Sequence, residues 1–169
     1  MNIIMLAGKS GAGKDVVADY IHNNYDYDKL AFADSLKEVV SKKYKFPIKY
    51  CYSQLGKKKL INGVSVRQLL ISEAKQMRYE NENIFVELLN NKIHLDCEYV
   101  ISDFRYINEF NALKQYSNVK TINIIRNNCN IIDDPSEHQL DSFNFDMTII
   151  NNYKTINDLY KFLDTISFD

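Results

Sequence analysis

Blocks of apolar and polar residues along the chain predict strands and helices in alternation. The first block, Asn2 to Gly8, is a continuous apolar run ending in glycine, as expected for a short strand buried on both faces. Val16, Val17, Tyr20 and Ile21 then recur at helical spacing. The chain therefore begins with a strand, a glycine-rich loop and a helix.

The same patterns continue to the end of the chain. Further strands are predicted over 28–34, 98–103, 119–126 and 146–152, and helices over 35–44, 66–79, 84–92, 108–116 and from residue 155. Residues 46–63, rich in Lys and Tyr, predict an irregular connection. Five strands alternating with helices predict an α/β fold with a mostly parallel sheet covered on both faces.

Composition limits the class of protein. A chain of 169 residues with 46% hydrophobic content predicts one soluble domain, and no apolar stretch approaches the roughly 20 residues of a membrane span. The net charge of -1 gives no overall attraction to nucleic acid or membranes. Three cysteines without metal-binding spacing (Cys51, Cys97, Cys129) favour a reducing, cytoplasmic compartment.

The loop after the first strand matches the phosphate-binding pattern G-x-x-x-x-G-K. Its glycines let successive N–H groups turn towards an anion, the following helix adds its positive end, and Lys14 can reach the β- and γ-phosphates of ATP. A fortuitous glycine turn is the less favoured alternative. The residues expected to bind ATP are Gly8, Lys9, Ser10, Gly11, Ala12, Gly13, Lys14, Asp15 and Val16.

Two carboxylates are candidates for binding Mg²⁺. Asp15 occupies the position where this pattern usually has a metal-binding hydroxyl, and a carboxylate oxygen there can serve Mg²⁺ directly or through water. The alternative, in which Asp15 only complements the helix dipole, stays open. Asp103 ends a predicted strand, at the sheet edge where phosphate-transferring enzymes hold a metal-directed acid, or it caps the next helix.

Arginine is scarce in a chain whose composition favours residues with A- and T-rich codons, and lysine takes most cationic positions. An arginine retained against this bias favours a site that needs a planar, bidentate cation. The four arginines are Arg67, Arg78, Arg105 and Arg126. For Arg78, with Glu80 and Glu82 nearby, an ion pair on a helix surface is an equal alternative.

Four segments together resemble the deoxynucleoside monophosphate kinases of large viruses and phages. They are "GKSGAGKD", "FADSLKE", "ISDFRYINE" and "DMTIINN", and the resemblance covers nearly the whole chain. It implies a P-loop NTPase three-layer fold of the nucleoside monophosphate kinase type, with five strands in a mostly parallel sheet. It also implies an acceptor-binding helical region over about 34–93 and a lid over about 127–145, within one domain spanning 1–169.

The resemblance implies roles for individual residues. Lys14, Arg105 and Arg126 would act in catalysis, with Arg126 at the start of the lid. The acceptor would be bound by Lys37, Arg67, Arg78, Asp103 and Arg105. The cofactors would be ATP and Mg²⁺, and the substrate a deoxynucleoside 5'-monophosphate.

The chain departs from the family pattern in a few places. Val16 stands where many members have Thr, Ser35 replaces a proline, and the predicted lid has no second arginine. Animal-type phosphomevalonate kinases share several of the motifs and are the alternative enzyme family. An ATP-binding regulatory protein without turnover is the alternative from another class.

The resemblance also bears on partners and location. No nucleic-acid-binding signature accompanies the lysine run at 57–59, so nucleic acid is not expected as a partner. A membrane is not expected either, because the chain lacks a long apolar stretch. Kinases of this type are often dimers, which makes a homodimer an expectation. The codon bias together with the resemblance indicates a large DNA virus, and thus the host cytoplasm.

Overall fold

A computed structural model describes residues 1–116, 118–127, 129 and 138–168, and the chain forms two compact units. The first, Met1–Ala31 with Ile93–Asp169, is called the sheet unit, and the second, Phe32–Lys92, the helical unit. The predicted single domain over 1–169 stays a prediction. In chain order the elements are β1 (Asn2–Ala7), α1 (Lys14–Asn24), β2 (Tyr27–Leu30), α2 (Asp34–Lys43), a 3₁₀ turn (Ile48–Cys51), α3 (Gln54–Lys57), β3 (Leu60–Ile61), β4 (Val64–Ser65), α4 (Val66–Glu80), α5 (Ile84–Asn90), β5 (Glu98–Ile101), α6 (Ile107–Leu113), β6 (Asn118–Ile125), β7 (Met147–Ile150) and α7 (Ile156–Leu163).

The sheet unit is built on five parallel strands in the order β2-β5-β1-β6-β7. β1 lies at the centre and pairs in parallel with β5 on one side and β6 on the other. Because all five strands run in the same direction, their carboxyl ends meet at one edge, where the loop after β1 lies. The predicted fold class, α/β with a five-stranded parallel sheet flanked by helices and a P-loop after the first strand, is confirmed.

The central strand β1 is buried on both faces of the sheet, which explains its continuous apolar run. Ile4 and Leu6 pack in a core with residues of α1 and α7, while Ile3 and Met5 point to the opposite face and are also buried. The side chain of Thr155 caps α7, since its hydroxyl accepts a hydrogen bond from the Asp158 amide at 3.1 Å.

The helical unit is held by polar contacts as well as by apolar packing. Glu73 of α4 is buried and accepts hydrogen bonds from the Lys43 ammonium group at 2.7 Å and the Tyr44 hydroxyl at 2.8 Å. The hydrogen bond from Lys43 is the main cause of a pKa of Glu73 below its usual value, against the opposing effect of burial. These contacts join the end of α2 to α4.

The expectation of an irregular connection over 46–63 is wrong. The segment contains a 3₁₀ turn, the short helix α3 and the first strand of a hairpin, β3 with β4. Asn62 and Gly63, with φ of 51° and 83°, form the two-residue turn of this hairpin. The strand predicted over 28–34 is also shorter than expected, because β2 ends at Leu30 and α2 begins at Asp34.

None of the helices in the described part of the chain has the length and apolar content needed to cross a membrane.

Candidate functional site

The glycine-rich loop has a backbone that only glycine accommodates at its two ends. Gly8 and Gly13 have φ of 137° and 102°, in the left-handed region. A Cβ added to Gly8 would meet the carbonyl oxygen of Ile124 in β6, and one added to Gly13 would meet the side-chain amide of Asn151. The loop is therefore in close contact with residues at the carboxyl ends of β6 and β7.

Lys14, the first residue of α1, folds back over this loop. Its Nζ donates hydrogen bonds to the carbonyl oxygens of Gly8 at 2.6 Å and Lys9 at 3.0 Å, and its side chain is buried. A further bond from the Ala12 amide to the Lys9 carbonyl, at 3.1 Å, closes the turn inside the loop. The cationic group and the N-terminus of α1 thus lie at the same loop, the arrangement that binds a phosphate chain.

Asn151 is a contact of this loop that was not singled out from the sequence. Its Nδ2 donates a hydrogen bond to the Ala12 carbonyl at 2.8 Å, and its backbone amide donates one to the Ile125 carbonyl at 2.7 Å. The residue follows β7 and is buried. The only sequence signal for it was its place in the segment "DMTIINN".

Asp15 points away from the covered interior of the protein. Its side chain is 80% exposed, and its carboxylate lies 3.5 Å from the ammonium group of Lys29 in β2. Val16 is half-buried against the core of the sheet unit. Asp15 is thus open to solvent and close to one cation, which is compatible with either role expected from the sequence. Its role in binding Mg²⁺ stays a prediction.

The turn after β5 carries Asp103 and Arg105 and is held by hydrogen bonds to β1 and to Glu109. The Phe104 amide donates a hydrogen bond to the Leu6 carbonyl of β1 at 3.1 Å. The carboxylate of Glu109, a buried residue, accepts hydrogen bonds from the Arg105 amide at 2.8 Å and the Tyr106 amide at 3.0 Å. Glu109 was not predicted as part of the site, and it determines the backbone from which the Arg105 side chain extends.

A cavity of about 510 Å³ lies beside the start of the loop, within the sheet unit. Among the described residues, three cationic ones line it, Lys9, Arg105 and Arg126, together with one acidic one, Asp141. Its other lining residues are Ala7, Gly8, Phe104, Asn123, Ile124, Ile125, Cys129, Leu140, Phe143, Asn144, Phe145 and Thr148. The structure therefore brings two of the predicted arginines to the cavity next to the predicted phosphate loop.

Lys37, in the helical unit, is engaged by its neighbours. Its Nζ lies 2.8 Å from the Asp34 carboxylate and 4.4 Å from the centre of the Tyr52 ring. The pKa of Tyr52 lies above its usual value, first because its hydroxyl is partly shielded from water and then because of the nearby charge of Asp34.

The two arginines of the helical unit lie in different surroundings. Arg67 donates a hydrogen bond to the side-chain oxygen of Gln54 at 2.7 Å, and the guanidinium of Arg78 lies 4.4 Å from the centre of the Phe85 ring. Contact with an aromatic face is typical of arginine. The acceptor-binding role of Lys37, Arg67 and Arg78 stays a prediction.

Part of the predicted lid, residues 128 and 130–137, lies outside the described residues. In the described part, Arg126 is exposed and directly follows β6, and His138 lies 2.9 Å from the carboxylate of Asp141. Among the described residues, no group of three or more His, Cys, Asp or Glu side chains is arranged to hold a metal ion. In phosphate-transferring enzymes, one or two carboxylates together with the substrate's phosphates are enough to bind Mg²⁺. The two carboxylates of Asp15 and Asp103 are therefore of the right type and number.

Two solved structures are similar to this chain over most of its length. Shikimate kinase from Aquifex aeolicus has 14% sequence identity and a TM-score of 0.44, with 95% of this chain and 92% of that chain covered. A sugar kinase from Janibacter has 12% identity and a TM-score of 0.42, with 96% and 91% covered. No protein-family model and no curated protein matches the chain. Similarity at this level does not identify an activity or a substrate.

Proposed function

We propose that the protein transfers the γ-phosphoryl group of ATP to a deoxynucleoside 5'-monophosphate in a Mg²⁺-dependent reaction. An oxygen of the acceptor phosphate forms a bond to the γ-phosphorus while the bond from that phosphorus to the β–γ bridging oxygen breaks. The products are a deoxynucleoside diphosphate and ADP. Because the acceptor is already an oxyanion, the reaction requires positioning and charge neutralisation rather than a strong general base.

The observation that carries the proposal is the geometry of the loop between β1 and α1. Two glycines there leave no room for a Cβ, the Lys14 ammonium group lies on the loop carbonyls, and the N-terminus of α1 adjoins the loop. Such a loop is suited to the β- and γ-phosphates of a nucleotide. Arg105 and Arg126 line the adjacent cavity, and each can donate paired hydrogen bonds to phosphate oxygens.

The roles proposed for the residues of the sheet unit come from the sequence resemblance, and this geometry supports them. Residues 8–16 would hold ATP, with Lys14 at its β- and γ-phosphates. Asp15 and Asp103 would hold Mg²⁺, which when bound would supply positive charge to neutralise the phosphates. Arg105 would hold the acceptor phosphate, and Arg126 would stabilise the charge that develops during transfer.

The class of acceptor rests on the sequence resemblance. In the helical unit, Lys37, Arg67 and Arg78 are the proposed acceptor-binding cations. Arg78 already lies against an aromatic ring, and Lys37 would exchange its ion pair with Asp34 for a phosphate. An acceptor phosphate carries two negative charges, so it competes well with a single carboxylate for such cations.

A panel of acceptors with coupled detection of ADP tests the proposal. ADP should form with ATP, Mg²⁺ and at least one of dAMP, dCMP, dGMP or dTMP. ADP formation with phosphomevalonate, but with none of the four deoxynucleotides as acceptor, would instead favour a phosphomevalonate kinase. A rise in melting temperature with ATP but no ADP from any acceptor would identify a binding protein without turnover, and either result would overturn the proposal.

A further inference from the structure

We propose that the neighbouring residues Asn151 and Asn152 are positioning residues that fix the glycine-rich loop and Arg126 in one arrangement. They lie immediately after β7, where the chain leaves the sheet. The proposed function gives neither residue a role. The part of this inference that concerns Arg126 rests on that proposed function. Their contacts reach both the glycine-rich loop and the backbone next to Arg126.

The first contact is between Asn151 and the glycine-rich loop. Asn151 is 4% exposed, and its Nδ2 donates a hydrogen bond to the carbonyl oxygen of Ala12 at 2.8 Å. The same amide nitrogen lies so close to Gly13 that a Cβ at this position would clash with it. One side chain therefore supplies a hydrogen bond to the loop and packs against its last glycine, directly before Lys14.

The second set of contacts involves the backbone of the two residues next to Arg126 in the chain. The Asn151 backbone amide donates a hydrogen bond to the Ile125 carbonyl at 2.7 Å. The Oδ1 of Asn152 accepts one from the Asn127 amide at 3.0 Å. The backbone is thus held on both sides of Arg126, the residue whose guanidinium must be placed accurately if it is to act on a phosphoryl group.

The chemistry of the two amides suits an anion site. Asn151 must present a hydrogen-bond donor to the Ala12 carbonyl, which a carboxylate cannot do. Asn152 must present an acceptor to an amide beside Arg126, and an asparagine does so without adding a negative charge that would repel phosphate. Neutral side chains that offer both donor and acceptor satisfy these demands together.

Because Asn152 is exposed, its removal tests positioning without opening the core. Asn152→Ala should lower kcat by about three- to tenfold, the effect of losing one hydrogen bond, while the dissociation constant of ATP changes less than about twofold. Asn118→Ala is the matched control, because this exposed asparagine hydrogen-bonds Asn2 near the opposite ends of the strands. It should change neither quantity.

Asn151 is tested through ATP binding, measured by calorimetry, which needs no acceptor. Asn151→Ala should weaken ATP binding by about tenfold, and the nearly isosteric Asn151→Asp should weaken it more, because two oxygens would then face each other at Ala12. A melting curve for each variant shows whether it is folded.

The outcomes separate this inference from the proposed function. Folded Asn151 variants with wild-type ATP affinity would overturn the loop part. An Asn152→Ala variant with the kcat of Asn118→Ala would overturn the Arg126 part. If the wild-type protein binds ATP but transfers nothing, the proposed function and the Arg126 part fail together, whereas the ATP affinities of the Asn151 variants still decide the loop part.

Discussion

The Nζ of Lys14 lies 2.6 Å from the carbonyl oxygen of Gly8, so the first residue of α1 is hydrogen-bonded to the first residue of the glycine-rich loop. In the proposed function this ammonium group binds the β- and γ-phosphates of ATP. Lys14→Ala should therefore lower kcat/KM for ATP by about 100-fold or more, the usual effect of removing a donor aimed at developing charge. Steady-state assays at varied ATP concentration measure this loss.

Lys161→Ala, which removes an exposed lysine of α7, is the control for Lys14→Ala and should keep wild-type turnover. The melting temperature of Lys161→Ala should remain close to that of the wild-type protein, and that of Lys14→Ala should fall modestly, because its two hydrogen bonds to the loop are lost. A folded Lys14→Ala variant with undiminished turnover would contradict the role given to Lys14.

Alanine at Gly8 and at Gly11 should have different effects on stability. Both glycines have positive φ, 137° and 85°, so both substitutions strain the backbone. At Gly8 the new methyl group also meets the carbonyl oxygen of Ile124, a backbone atom that cannot turn away, whereas at Gly11 no atom lies within 4 Å.

Gly11→Ala should therefore cost about 1 kcal/mol of unfolding free energy, and Gly8→Ala several times as much, because the β1–β6 pairing must shift. Denaturant unfolding of the two variants measures the difference. If Gly8→Ala and Gly11→Ala have equal free energies of unfolding, there is room for a methyl group between Gly8 and β6.

The sheet and the loop could be predicted from the sequence because their signals are local. A buried parallel strand is an uninterrupted apolar run, and the run from Asn2 to Gly8 leads directly into three closely spaced glycines and Lys14. The Asn62-Gly63 pair was an equally local signal for a hairpin, but the short strands around it gave no clear alternation of apolar and polar residues.

The polar supports of the site could not be predicted in the same way. Asn151 and its hydrogen-bond acceptor Ala12 are 139 residues apart in the chain, and nothing near either residue indicates the contact. The direction of the Asp15 side chain was equally hidden, because both roles expected for it place the residue at the start of a helix. Its closeness to Lys29 depends on where β2 lies in the sheet.

The stability contributed by Glu73 should depend on pH. The hydrogen bond from Lys43 is the main cause of a folded-state pKa below the usual 4.5, so the contribution is complete above pH 4.5 and is lost as the pH falls through the lower folded-state pKa. Glu73→Gln should thus be less stable than the wild-type protein at pH 7, and the gap should narrow towards pH 3.

Urea unfolding at several pH values measures this gap. Glu80→Gln is the matched control, since Glu80 ends the same helix, is exposed and hydrogen-bonds Gln76. The control should show no such narrowing. A gap between wild type and Glu73→Gln that is constant from pH 7 to pH 3 would mean that the contacts with Lys43 and Tyr44 do not depend on the charge of Glu73.

Asp15 and Lys29 provide a test of whether a carboxylate replaces the usual metal-binding hydroxyl. If Asp15 serves Mg²⁺, its attraction to Lys29 at 3.5 Å competes with the metal. We expect Asp15→Asn to raise the Mg²⁺ concentration that gives half-maximal turnover by about tenfold or more. Lys29→Ala should lower that concentration, because it removes the competing cation.

Magnesium titrations of turnover at saturating ATP distinguish the two directions. An Asp15→Asn variant with unchanged Mg²⁺ dependence and a lower melting temperature would show instead that Asp15 only complements the dipole of α1, and Asp103 would then be the remaining candidate carboxylate for the metal.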